Sequence, residues 1–189
     1  MAKYWVANNP NSEVTNAEAV RISNSQREVV RQSDDSDTAL TLTVSQSGAL
    51  VLLDEDEAYA ITLPAITSSD IGVTYEFLES VASTADRTID TAYNNDYYVG
   101  GVHVLPSIAW GAATAQDDAF FGLTAGATDV QITFDDGLAN GAGAVGSWVK
   151  LTAILTGNVA ASGGAKLVWA VTGCMLTADP NGTGAAIFT

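Results

Sequence analysis

From Thr38 onward the chain alternates apolar and polar positions with a period of two. Leu40, Leu42 and Val44 are separated by Thr41 and Thr43, the pattern of a half-buried strand. A Ser47-Gly48 turn leads into a predicted strand over 49–53. Another follows over 58–63, where Ile61 and Leu63 share a face, and Pro64 ends it because proline has no N–H to give to a ladder. Val73, Tyr75 and Phe77 mark the next strand, and further ones are predicted over 87–93, 97–105, 119–123, 128–134, 148–155 and 166–172. Within 128–134, Val130, Ile132 and Phe134 point one way. About nine or ten short strands, separated by Gly, Asn, Asp and Ser with no convincing helical period, predict an all-β body. The candidate architectures are a β-sandwich, a jelly-roll-like double sheet or a barrel. The stretches 135–147 and 157–164 are low in complexity and read as long loops.

Residues 1–37 do not share the alternation. They are poor in large apolar side chains and rich in Asn, Ser and Gln, and they read as an N-terminal arm on a body of residues 38–189. The arm is expected to hold a short strand at 4–7 and extended or weakly helical chain around 13–32. Charge separates the two parts. Residues 1–33 carry Lys3, Arg21, Arg27 and Arg31 against Glu13, Glu18 and Glu28, whereas the rest has Arg87, Lys150 and Lys166 against nineteen carboxylates. An arm of this kind either lies on its own surface or docks on another subunit or assembly.

The whole chain of 189 residues has a net charge of −15 and suits one domain, or one domain with an arm. Such a surface repels phosphate backbones and anionic lipid, so neither nucleic acid nor membrane is expected as a partner. Cys174 is the single cysteine, which excludes an internal disulfide and a cysteine-based zinc site, and His103 is the single histidine. His103 lies between Val102 and Val104 and is expected to point away from their face; Cys174 is expected to pack as a small buried hydrophobe. The opening residues show no secretory h-region and no stretch approaches a membrane span, so a soluble protein made in a cytoplasm is expected.

Candidate chemistry is sparse. Acidic clusters at 34–37, 54–57, 117–118 and 135–136 offer oxygens to Ca²⁺, but none has the spacing of a helix–loop–helix calcium loop, and adjacent carboxylates in turns are usually solvated. Asp54, Glu55, Asp56 and Glu57 form the best calcium candidate among them. Twenty-two carboxylates make some pair suited to glycoside hydrolysis almost inevitable, so Asp90, Asp96 and Asp117 near aromatic residues carry little weight. Asp37-Thr38-Ala39 and Asp90-Thr91-Ala92 look superficially like the aspartic-protease tripeptide without its flanking pattern. The glycines of 141–146 have no following Lys-Ser/Thr and do not form a phosphate loop. No catalytic residue and no cofactor is predicted.

Two blocks carry a resemblance. The first, over 47–77, reads SGALVLLDEDEAYAITLPAITSSDIGVTYEF: a glycine, an apolar strand, an acidic turn, ITLP, then Gly-x-x-Tyr-x-Phe. The second holds GSWVKLTAIL and KLVWAVTG and closes on GAAIF, within 146–188. With the MAKYWV opening, these resemble small β-rich virion proteins of tailed bacteriophages, most nearly capsid decoration (head cement) proteins of marine-phage and cyanophage type. In KLVWAVTG, Gly163-Gly164-Ala165 stands where an Asp-Gly turn usually precedes the tryptophan.

The resemblance implies a non-enzymatic structural protein on the outer capsid surface of a virion. It also implies the major capsid protein as partner, self-association as a homotrimer, and head stabilisation as the task. Under it, the arm supplies contacts, with Tyr4, Trp5, Arg21, Arg27 and Arg31 as candidate interface residues. Two other readings stay open. One is a tail or fibre host-attachment domain using Tyr97, Tyr98 and Trp110 toward glycans; the other is a polysaccharide-degrading enzyme.

Overall fold

A computed structural model describes residues 27–34, 39–93, 97–106, 119–123, 130–134, 142–155, 167–177 and 187–188. They form eleven strands: β1 Val29–Arg31, β2 Ala39–Thr41, β3 Leu50–Leu53, β4 Tyr59–Thr62, β5 Thr74–Glu79, β6 Arg87–Asp90, β7 Tyr98–Pro106, β8 Ala119–Leu123, β9 Gln131–Phe134, β10 Trp148–Leu155 and β11 Leu167–Thr177. The chain is all-β, in two mixed sheets. One has seven strands in the order β1-β3-β5-β10-β11-β7-β8; the other has four, β2-β4-β6-β9.

The first six strands alternate between the sheets. β1, β3 and β5 stack in parallel in the larger sheet, and β2, β4 and β6 stack in parallel in the smaller. Residues 29–90 therefore trace three rungs of a two-sided coil, each rung crossing from one sheet to the other. The parallel rungs distinguish this sandwich from an antiparallel jelly roll. The later strands complete both sheets. β9 pairs antiparallel with β6, and β10 and β11 form an antiparallel hairpin from Trp148↔Cys174 to Leu155↔Leu167. That hairpin sits between β5 and β7, with β11 parallel to β7.

Period-two burial explains why the sheets face each other. Val51 and Leu53, Tyr75 and Phe77, Val149, Leu151 and Ala153, and Trp169, Val171 and Met175 point inward from the larger sheet. Tyr59, Ile61, Ile89, Ile132 and Phe134 meet them from the smaller one, in a single apolar cluster. Tyr75 and Trp169 lie with ring centroids 5.9 Å apart at a 45° tilt. Close approach along β11 demands glycine: a Cβ on Gly173 would stand 2.4 Å from the Trp148 carbonyl oxygen. Gly100 on β7 combines a φ of +111° with a Cβ position 2.3 Å from the Val171 oxygen, so both backbone and space exclude a side chain.

Several expectations need revision. The strand predicted through Val44 stops at Thr41, because Thr43 instead caps a 3₁₀ turn over Val44–Gln46, with Gln46 Oε1 accepting the Thr43 N–H at 2.9 Å. The strand predicted to end at Thr172 runs on to Thr177, since Gly173, Met175 and Thr177 keep the inward alternation. The strand expected at 4–7 lies outside the described residues, as does most of the stretch 13–32. Its last part takes the extended alternative, for Val29–Arg31 pair in parallel with Leu50–Leu52.

Among the described residues, polar contacts tie the larger sheet to the smaller one and to the turn that follows β2. Tyr98 Oη donates to the Ile89 carbonyl at 3.0 Å, and Tyr75 Oη to the Thr43 carbonyl at 2.7 Å. The third is ionic. Glu79 takes the inward position that continues Tyr75 and Phe77, and Arg87 takes the inward position that precedes Ile89. The two side chains are fully buried and paired, Arg87 Nη1 to Glu79 Oε1, while Arg87 Nη2 donates to the Glu55 carbonyl. Removing one partner leaves a buried charge, so Arg87→Met is expected to destabilise the fold by about 3–5 kcal/mol. Adding Glu79→Leu is expected to recover most of that loss. Urea unfolding of the three proteins tests this, and equal losses for the single and double variants would refute it.

Candidate functional site

The acidic turn singled out as a calcium candidate works as a hub within the chain. Asp54 accepts the Ser33 N–H at 2.9 Å, the Ser33 hydroxyl at 2.8 Å and Arg31 Nε at 2.8 Å, tying the end of β1 to the end of β3. Asp56 accepts the Thr84 N–H at 2.6 Å, fastening the loop before β6. Between them, the Glu55 carbonyl receives buried Arg87. The carboxylates of 54 and 56 thus serve opposite neighbours. Among the described residues, no three His, Cys, Asp or Glu side chains gather in a way that could hold a metal ion.

The candidate interface residues divide. Tyr4, Trp5 and Arg21 lie outside the described residues. Arg27 lies over the edge of the larger sheet, donating to the carbonyls of Gly48 at 2.6 Å and Ala49 at 3.0 Å and pairing with Glu76 at 2.7 Å. Arg31 pairs with Asp54, yet its own side chain stays 52% exposed. Both arginines are therefore bound to residues of the larger sheet or its margin.

Other candidates are placed by their partners. Asp90 accepts Gln131 Nε2 at 2.6 Å and the Thr88 hydroxyl at 3.0 Å, which makes it a strand-end brace; Asp37, the other tripeptide acid, lies outside the described residues. Tyr98 is buried with its hydroxyl on Ile89, so it is withdrawn from any glycan platform; Trp110 is not among the described residues. His103 is exposed, on the face opposite Val102 and Val104, as its neighbours predict. Cys174 departs from expectation: it is only partly buried, because it occupies an outward position of β11.

The sequence reading missed the outer face of the seven-stranded sheet. One lateral row crosses six strands through Arg31, Leu52, Leu78, Trp148, Cys174 and His103, each in register with the next. Strands about 4.8 Å apart make this row roughly 24 Å long. Trp148 at its centre is 37% exposed, between half-buried Leu78 on one side and partly buried Cys174 on the other. The next row runs Val29, Leu50, Glu76, Lys150 and Thr172. The signal lay in parity: once Val149, Leu151 and Ala153 are assigned to the core, Trp148 and Lys150 must face outward.

Comparison with protein-family models, with curated proteins and with solved structures finds no match. The candidate site therefore rests on its own geometry: a β surface that presents, among the described residues, a partly exposed indole with cations nearby.

The acidic hub is also sensitive to pH. Burial pushes the Asp54 carboxyl upward, but the Ser33 amide and hydroxyl and the Arg31 guanidinium outweigh it and hold the group below the ordinary aspartate value of 3.8. The Thr84 N–H does the same for Asp56, and the Thr67 hydroxyl and N–H for Asp70. A depressed carboxyl contributes stability above its unfolded value and loses it as pH falls through the folded one. Stability is thus expected to decline between about pH 5 and pH 2. Asp54→Asn is expected to cost about 1–2 kcal/mol at neutral pH and to flatten that decline. Urea midpoints measured across the range check it; parallel curves for variant and wild type would refute the role of Asp54.

Proposed function

We propose that this chain is a non-enzymatic structural protein of a tailed-phage virion, bound to the outside of the capsid to decorate and stabilise the head. The observation that carries this reading is spatial. The two blocks that resemble decoration proteins are far apart in sequence, yet besides β4 of the smaller sheet the first supplies β3 and β5, and the second supplies β10 and β11. These four strands are consecutive neighbours in the larger sheet, β3-β5-β10-β11. Patterns that had arisen separately by chance would have no reason to meet in one continuous surface.

The physical properties support the same task. A chain with a net charge of −15 repels packaged DNA and stays soluble at the concentrations assembly needs. Its buried ionic and tyrosine bridges lock two sheets into one unit. The open face of the larger sheet presents apolar and cationic groups to another protein. The partner is the major capsid protein, and further copies of the chain share the particle as trimers. The chemistry is adhesion, without cofactor or turnover. The tail-attachment reading has less behind it, since Tyr98 is spent in the core.

Gold-labelled antibody on purified virions tests the proposal. Regular label over the head is expected; label confined to the tail would overturn it in favour of host attachment. The arm is tested separately by deletion. Removing residues 1–33 would also remove β1 and the Arg27 and Arg31 contacts, so the informative truncation stops before Arg27. Loss of residues 1–26 is expected to weaken head binding while leaving the melting transition in place. Undiminished binding would show that the arm takes no part.

A further inference from the structure

Charge is not spread evenly over the folded body. Of the seven cations in a chain of net charge −15, Arg27, Arg31 and Lys150 belong to the outer face of the seven-stranded sheet or its edge. Glu76 is the carboxylate in the two central rows of that face, and it is already paired with Arg27. Asp54, at the margin, is paired with Arg31 and almost covered. Lys150 is exposed and makes no ion pair among the described residues. It stands two residues from Trp148 on the same strand and face. Among the described residues, a chain of net charge −15 thus turns toward solvent one side that is locally neutral to positive, with apolar side chains through its middle.

From this juxtaposition we infer that the outer face of the seven-stranded sheet is the surface by which the chain docks on its shell. Trp148 is the central anchor, and the matching patch on the partner is apolar at its centre with carboxylates at its rim. The inference rests on the decoration reading and deepens it, by moving the principal contact from the arm to the sheet. Charge complementarity selects the partner's chemistry. The rest of this chain repels an acidic surface, whereas Lys150 and the exposed side of Arg31 attract one, so the charges orient the approach. A tryptophan set between half-buried Leu78 and Cys174 loses its remaining hydration on contact, the arrangement in which a few residues dominate binding. Leu78 and, one strand further, Leu52 extend the apolar surface from Trp148 toward Arg31.

Cys174 offers a reporter that needs no engineering. It is the single cysteine of the chain, it is partly accessible, and it is the register partner of Trp148 on the adjacent strand. Heads purified from particles lacking this chain are titrated with the full-length protein, and N-ethylmaleimide labelling of Cys174 is followed free and bound. Slower labelling on heads is expected. Trp148→Ala and Lys150→Glu are each expected to weaken binding about tenfold or more. Both side chains are outward, so the melting transition should stay in place, which separates lost contact from lost fold. Wild-type binding with unchanged Cys174 labelling, and variants that bind as tightly as wild type, would overturn the sheet-face assignment while leaving decoration standing. Failure of the wild-type protein itself to bind heads would overturn both.

Discussion

The fold depends on one ion pair placed where charge is most expensive. Arg87 and Glu79 meet between the sheets, each delivered by the same two-residue alternation that delivers the tyrosines and isoleucines around them. Isolated, either group would be intolerable in that environment; together they join the last strand of the larger sheet's parallel half to the last strand of the smaller sheet's. The second guanidinium nitrogen extends the link to the backbone of the acidic turn. That turn, through Asp54 and Asp56, holds the segment after β1 on one side and the loop before β6 on the other. A polar skeleton thus runs from the edge of the molecule to its centre.

Most of the strands were legible in the sequence because alternation is a local property. The strand over 148–155 was readable to the residue, since Trp148, Lys150 and Thr152 interleave with Val149, Leu151 and Ala153 without interruption. Failures came where a local rule competed. Thr43 and Gln46 satisfy each other's backbone and side chain in a turn, and that outweighs continued pairing after Thr41. Glu79 and Arg87 look like surface residues by type, and only their parity with Phe77 and Ile89 betrays their direction. The pairing of strands was not legible at all: nothing in the composition of β1, β3 and β5 says that they lie side by side with the intervening strands in another layer.

The site was harder to read for a related reason. A docking face is a property of several strands at once, and its row of side chains comes from residues scattered between Arg31 and Cys174. Single residues that invited attention, Asp54, Asp56 and Tyr98, turned out to be occupied in holding the body together. The sorting follows from energetics. Carboxylates near free N–H groups cap turns, and buried phenols find carbonyls, so conspicuous chemistry is often consumed internally.

The two-sided coil also orders events in time. Each rung contacts the one before it, so the pairings of β1 to β6 close loops of modest length and can form one after another as the chain leaves the ribosome. The hairpin of β10 and β11 is different. It must find both β5, made much earlier, and β7, and slot between them to complete the larger sheet. Until it does, β5 and β7 each expose an unpaired edge ready to accept a strand from another chain. Non-local pairing of this kind is slow. The interval before hairpin insertion is therefore when a crowded solution poses the greatest danger of wrong partners.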